Sequence, residues 1–181
     1  MDVNDFKAAM RHCAGAVALV TVGQGERRTG LTVTAVCSLS DRPPSLLTCV
    51  NRSSSAHPRI REEGAFGVNF LSEDHVVLAL TFSGQKGIDG HDRFRFGEWR
   101  SGPTGSPILI DALLSFDCDL RQEIETETHS IYIGDIREAR RRETAEPLVY
   151  LRGAFHGVEP MREVVSLGDL EARRMSWNGF S

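Results

Sequence analysis

The sequence lacks any apolar run long enough to cross a membrane. Its longest runs, Ala14 to Val22 and Ser45 to Val50, fall far short of the roughly 20 residues that a spanning helix needs. It also lacks a block of like charge. Lys and Arg number 21 against 25 Asp and Glu, for a formal net charge of -4. Because both signs are interspersed, nothing is shaped to grip a nucleic-acid backbone. The first residues, Met1 to Arg11, mix charge with apolar side chains and contain no export signal, so the expected compartment is the cytoplasm. Cysteine is sparse: Cys13, Cys37, Cys49 and Cys118 form no Cys-x-x-Cys pair. Three of them sit among strand-forming residues, and all read as reduced core thiols rather than disulfides or metal ligands. No cluster of metal-ligand spacing and no nucleophile elbow occurs, so no metal is expected. There is no dinucleotide fingerprint either. Gly23-Gln24-Gly25 follows an apolar strand, but Arg28 stands where the third glycine belongs and a strand follows instead of a helix.

What remains is a chain of one domain's length, 1-181. A short helix is expected over Val3 to Cys13, from apolar residues at Phe6, Ala9, Met10 and Cys13, with Asp2 or Asn4 as cap. Gly15 to Val22 and Gly30 to Ser40 read as two strands of a hairpin, and Ser45 to Val50 as a third strand. A helix over about 55 to 63 ends at Gly64, and Ala65 to Leu71 returns as strand. Ser72 caps a helix to about Phe82, and 83 to 107 reads mostly as loop. From Ala112 to Leu120 the even positions are apolar, and Ser115, Asp117 and Asp119 should face away from the core. Strands over His129 to Ala139 and Leu148 to Gly157 follow. A surface helix over Met161 to Met175 and a frayed end from Trp177 complete the tail, 158–181. Many short strands with inserted helices favour a mainly β, closed antiparallel barrel over a doubly wound parallel sheet.

Two stretches bear on chemistry. Thr32, Thr34, Ser38 and Ser40 share one parity of the second strand, broken only by Val36. That pattern reads either as threonine used for its β-propensity or as a row of short donors beside a flat heterocycle. Next, Asn51-Arg52-Ser53-Ser54-Ser55 leaves a strand and enters a helix, so hydroxyls, a cation and free helix-start amides converge where an anion is favoured. Simple capping needs only one of those hydroxyls. Phe82-Ser83 and Arg93 supply an aromatic and a second cation in loops, while His129, Tyr150 and Arg152 stand at strand ends.

Taken together, Thr32 to Leu46, Cys49 to Ser54, Gly67 to Leu71, Phe82-Ser83-Gly84, Asp92-Arg93-Phe94, His129 to Asp135 and Pro147 to Gly153 resemble the short-chain flavin reductase family. These are the reductase components of two-component flavin-dependent monooxygenases, such as the 4-hydroxyphenylacetate and phenol systems. The likeness runs from about Phe6 to His156, departing where His12-Cys13-Ala14-Gly15 replaces a usual Phe-Ala-Thr-Gly and Cys37 a usual serine. It implies an FMN-binding split β-barrel of Greek-key type with short helical inserts, a homodimer, and reduction of FAD or FMN by NADH or NADPH. The reduced flavin would diffuse to a separate monooxygenase. By position, Thr32, Thr34, Ala35, Val36, Cys37 and Ser38 would line the flavin ring, and Asn51, Arg52, Ser53 and Ser54 its phosphate tail. Phe82, Ser83 and Arg93 would complete that site. His129, Tyr150, Arg152 and Gly153 would take the nicotinamide, with His129 the candidate for positioning it. A different class of reading is a split-barrel protein that holds flavin or haem without turning it over.

Overall fold

A computed structural model describes residues 1–159 of the chain; the expected tail helix over Met161 to Met175 and the frayed end lie outside the described residues. The apolar run after Ala14 is divided at Val17 into Gly15–Ala16 (β1) and Ala18–Val22 (β2). Every residue of β2 is buried, which is why it reads as continuous rather than alternating. Ala18, Val20 and Val22 point into a core with Val33, Leu46, Val50, Phe66 and Tyr132. Val17 and Leu19 belong to a second core with Leu78, Phe82, Phe94, Leu109 and Leu148.

The strands Thr29–Val33 (β3), Val36–Asp41 (β4), Pro44–Asn51 (β5) and Ala65–Phe70 (β6) precede two short ones, Trp99–Ser101 (β7) and Pro107–Leu109 (β8). Leu114–Glu125 (β9), His129–Arg141 (β10), Val149–Leu151 (β11) and Ala154–His156 (β12) follow. Seven of them form one antiparallel sheet in the order β3-β2-β6-β9-β10-β5-β4. Its two edge strands, β3 and β4, are separated in the chain by only Thr34 and Ala35, so the sheet must curl until its edges meet. The result is a split barrel whose seam lies at those two residues. Beside it stand a sheet of order β1-β11-β12 and the β7-β8 hairpin.

Among the described residues, three α-helices are inserted. Val3–Met10 (α1) is capped by the carboxylate of Asp2, and none of its residues is buried. Ala56–Glu63 (α2) ends at Gly64 with φ 64°, the left-handed value that glycine adopts without strain. Val76–Phe82 (α3) follows a 3-10 turn, Glu73–His75, in which the Ser72 hydroxyl and the His75 ring hydrogen-bond at 2.9 Å.

Three expectations need correction. The strand expected over Gly30 to Ser40 breaks at Thr34-Ala35 and changes partner from β2 to β5, so its hydroxyls do not share one face. Thr32 donates to the Ala79 carbonyl, while Ser38 is exposed. The stretch 83 to 107 is mostly loop as expected, with the β7 strand and a 3-10 turn, Gly90–Arg95, set into it. Ser115 and Asp117 do not face solvent: they are 4% and 1% exposed, and the 102–106 turn covers Asp117. Thr104 supplies the reason, donating its amide and hydroxyl to the Asp117 carboxylate at 2.7 and 2.6 Å. Finally, only Cys118 is a buried thiol; Cys49 is half-buried, and Cys13 and Cys37 are exposed.

Candidate functional site

Two grooves flank the barrel seam. Thr32 lines the first, of about 420 Å³, and Thr34 and Ala35 line the second, of about 500 Å³. Both volumes suit small-molecule ligands. The short side chains at the seam follow from the fold, since β1 passes close by: a Cβ on Gly15 would stand 2.8 Å from that of Thr34.

The first groove is polar. The end of β5 turns into α2 through the side-chain amide oxygen of Asn51, Oδ1, which accepts from the Ser53 amide at 2.9 Å and its hydroxyl at 2.8 Å. Ser54 Oγ accepts from the Ala56 amide, which leaves its own proton free to donate. Ser55 stands at the N-cap of α2 but makes no capping bond and pairs with the Thr29 hydroxyl at 2.7 Å. Asn51, Ser53, Ser54 and Ser55 form one wall, and Leu31, Phe82, Ser83, Asp89 and Arg93 the rest. Arg93 is only 8% exposed. Its Nε donates to the Ile88 carbonyl at 2.7 Å, and Nη1 to those of Gly30 at 2.7 Å and Phe82 at 3.5 Å. The groove thus sets a fixed positive charge beside two free donors, the Asn51 side-chain amide and the Ser54 hydroxyl, which is the chemistry of an anion site.

The second groove combines apolar and cationic lining. Phe6, Met10, Gly15 and Tyr150 line it together with Lys7 of the exposed helix α1 and Arg11 at its C-cap. Tyr150 stands opposite Gly15 in the β1-β11 register and packs edge-on against Phe155 at 5.3 Å. Arg152, at φ 52°, and Gly153, at φ 86°, make the tight turn between β11 and β12. The Arg152 amide donates to the Arg11 carbonyl at 2.7 Å, tying that turn to the end of α1.

Beneath the serine turn lies a network that joins α2 to the barrel. His57 Nε2 meets the Ser130 hydroxyl at 2.8 Å and Glu123 at 3.4 Å. Glu123 also accepts from Arg61 at 2.8 and 3.0 Å and from Tyr132 at 3.0 Å. The Arg61 hydrogen bonds hold its carboxyl at about 2, below the ordinary 4.5, although burial opposes them. Burial and the bond to Glu123 push the Tyr132 phenol up. These groups are structural ballast for the turn rather than groove wall.

A family model described as a flavin reductase like domain matches residues 10–159. The chain belongs to the flavin reductase family. It is similar to a protein of Stutzerimonas stutzeri named FMN reductase (NADH) RutF, with 38% identity over 154 residues, 85% of this chain and 87% of that protein. Among solved structures it resembles BorF, the flavin reductase component of a bacterial two-component tryptophan halogenase, with TM-score 0.80 and 30% identity over 88% of this chain and all of that one. A flavin reductase domain protein from an Arthrobacter species superimposes with TM-score 0.79 and 30% identity, covering 90% of this chain and 99% of that one. Like its family, the chain is an enzyme that reduces flavin with a nicotinamide dinucleotide.

The residues fit such a ligand: a phosphorylated tail needs donors and a cation, and a flat ring needs small side chains. Of the flavin residues expected from sequence, Thr32, Asn51, Ser53, Ser54, Phe82, Ser83 and Arg93 share the first groove, and Thr34 and Ala35 line the second. Val36 packs against the barrel core, and Cys37 and Ser38 lie exposed on β4. Arg52 turns away, donating to the Thr126 carbonyl at 2.9 Å and meeting Glu125 at 3.5 Å. Of the nicotinamide set, Tyr150 lines the second groove, whereas His129 sits exposed opposite Asn51 and lines neither. Sequence reasoning missed Asp89, although its place four residues before Arg93 is a charge-pair signal. It also passed over Gly15, although this residue keeps the glycine of the family's usual Phe-Ala-Thr-Gly.

Proposed function

We propose that the chain reduces FMN with NADH and releases the product to a separate oxygenase. The observation that carries this reading is the groove built from Asn51, Ser53, Ser54 and the buried Arg93, which matches a flavin's phosphate end. The name of the Stutzerimonas relative, FMN reductase (NADH), supports the choice of FMN, and BorF's description as one component of a two-component system supports delivery to a partner enzyme.

When bound, the flavin supplies the hydride acceptor. The chain supplies position. Ser54 and Asn51 donate to the phosphate, and Arg93 balances its charge from a site fixed by three carbonyls. Thr34 and Ala35 present backbone and short side chains along the seam, so a ring can lie close to the chain. Tyr150 offers an apolar face in the adjoining groove where a nicotinamide would stack, with Lys7 and Arg11 near its phosphates and the Arg152-Gly153 turn tied to Arg11 behind them. No side chain need move a proton, because approach and orientation carry most of the rate in hydride transfer.

A second copy of the chain covers α1 in this reading, since Val3, Phe6 and Met10 are half or more exposed on one short helix. Light scattering tests it: a mass of one chain overturns the dimer. The enzymatic reading is tested by steady-state NADH consumption across FMN, FAD and riboflavin, where FMN should show the lowest KM.

A further inference from the structure

Asp89 faces the same groove as Ser53, Ser54 and Ser55. Its carboxylate accepts from Arg93 Nη2 at 3.0 Å. Asp89 also stands at the N-cap of the Gly90–Arg95 turn, yet its side chain makes no capping bond there. An aspartate at that position ordinarily caps, so its turn toward Arg93 needs another reason. Holding Arg93 in place is not that reason, since the Ile88, Gly30 and Phe82 carbonyls already fix the guanidinium from within. Asp89 is instead 91% exposed while its partner is 10% exposed, an arrangement in which one partner is fixed and the other is free to leave. Ion pairs of such exposure are weak and readily exchanged.

We propose that Asp89 is a built-in competitor for the flavin phosphate. It occupies the outward N–H of Arg93 before flavin arrives, must yield that donor when the phosphate enters, and then repels the phosphate from the groove rim. This inference rests on the placement of the phosphate proposed above. Its consequence is a site that recognises phosphorylated flavin through Arg93 yet holds it loosely, as an enzyme that gives up its flavin requires. The charge acts only on the phosphorylated tail, so it sets how FMN differs from riboflavin and leaves the ring's contacts alone.

The test is equilibrium and stopped-flow binding of FMN and riboflavin to the wild-type chain, to Asp89→Asn and to Asp89→Ala. Removing the carboxylate should tighten FMN by about fivefold at low ionic strength, the size of one screened charge contact at a groove open to water, and the gain should shrink with added salt. The gain should come from slower FMN dissociation, and riboflavin affinity should not change. Unchanged or weaker FMN binding in both variants would overturn the proposal. Equal tightening of riboflavin would overturn it too, because Asp89 would then act on the loop and not on the phosphate. If the wild-type chain holds FMN no better than riboflavin, the phosphate placement itself fails, whatever the variants do.

Discussion

Arg93 donates to the carbonyl of Gly30 at 2.7 Å, and this bond ties the loop after α3 to the barrel strand β3. Both residues are crowded: a Cβ on Gly30 would lie 2.7 Å from the Val20 carbonyl and 3.0 Å from the Phe82 ring. Arg93→Ala should therefore act twice. It leaves buried carbonyls without a donor, at a cost of about 2–4 kcal/mol in chemical denaturation, and it removes the groove's fixed cation, weakening FMN by roughly tenfold or more. Arg93→Lys keeps the charge without the fork and should recover only part of either loss.

Arg52 and Ser54 are neighbours with opposite expected weights. Because Arg52 is engaged by Thr126 and Glu125, Arg52→Ala should change FMN affinity by less than about threefold, the size of a distant screened charge. Ser54→Ala removes both a free donor to the groove and the acceptor for the Ala56 amide. It should weaken FMN about fivefold or more and cost about 1 kcal/mol of stability. Fluorescence titration with FMN, beside thermal melting, ranks the two.

Asp117 separates stability from function. It is 1% exposed and takes both hydrogen bonds of Thr104. Asp117→Ala should destabilise the chain by about 2–3 kcal/mol, since the Thr104 donors lose their acceptor, while FMN affinity of the folded protein stays as it was.

The legibility of these features in the sequence was uneven. Strand and helix identities were readable wherever one periodicity ruled, as in α2 with Gly64 at its end. They failed where two surfaces compete. β9 has polar Ser115 and Asp117 on a covered face, and the distant 102–106 turn makes the burial of Asp117 tolerable. The run through Thr34 and Ala35 carried no breaking residue, yet barrel closure forces the break there. For the site, the serine turn was legible from composition alone. The direction of Arg52 was not, because nothing local distinguishes a groove from the Thr126 carbonyl 74 residues away. Arg93 was legible from the family likeness; its tether to Gly30, distant in the chain, was not.

Acid should expose the network under the turn. Glu123 has its carboxyl lowered from 4.5 to about 2, chiefly by Arg61. A lowered folded value means that its contribution is complete above 4.5 and is lost as pH falls through about 2. Melting temperature should fall across that window in the wild-type chain. In Glu123→Gln it should start lower at neutral pH and decline less steeply over the same range.

The central claim is that the chain moves hydride from NADH to FMN. NADH consumption followed by absorbance, with the purified chain and with FMN present or omitted, addresses it most directly. Turnover that requires FMN and saturates with it is the predicted result. NADH consumption that is absent, or that ignores FMN, would contradict the account.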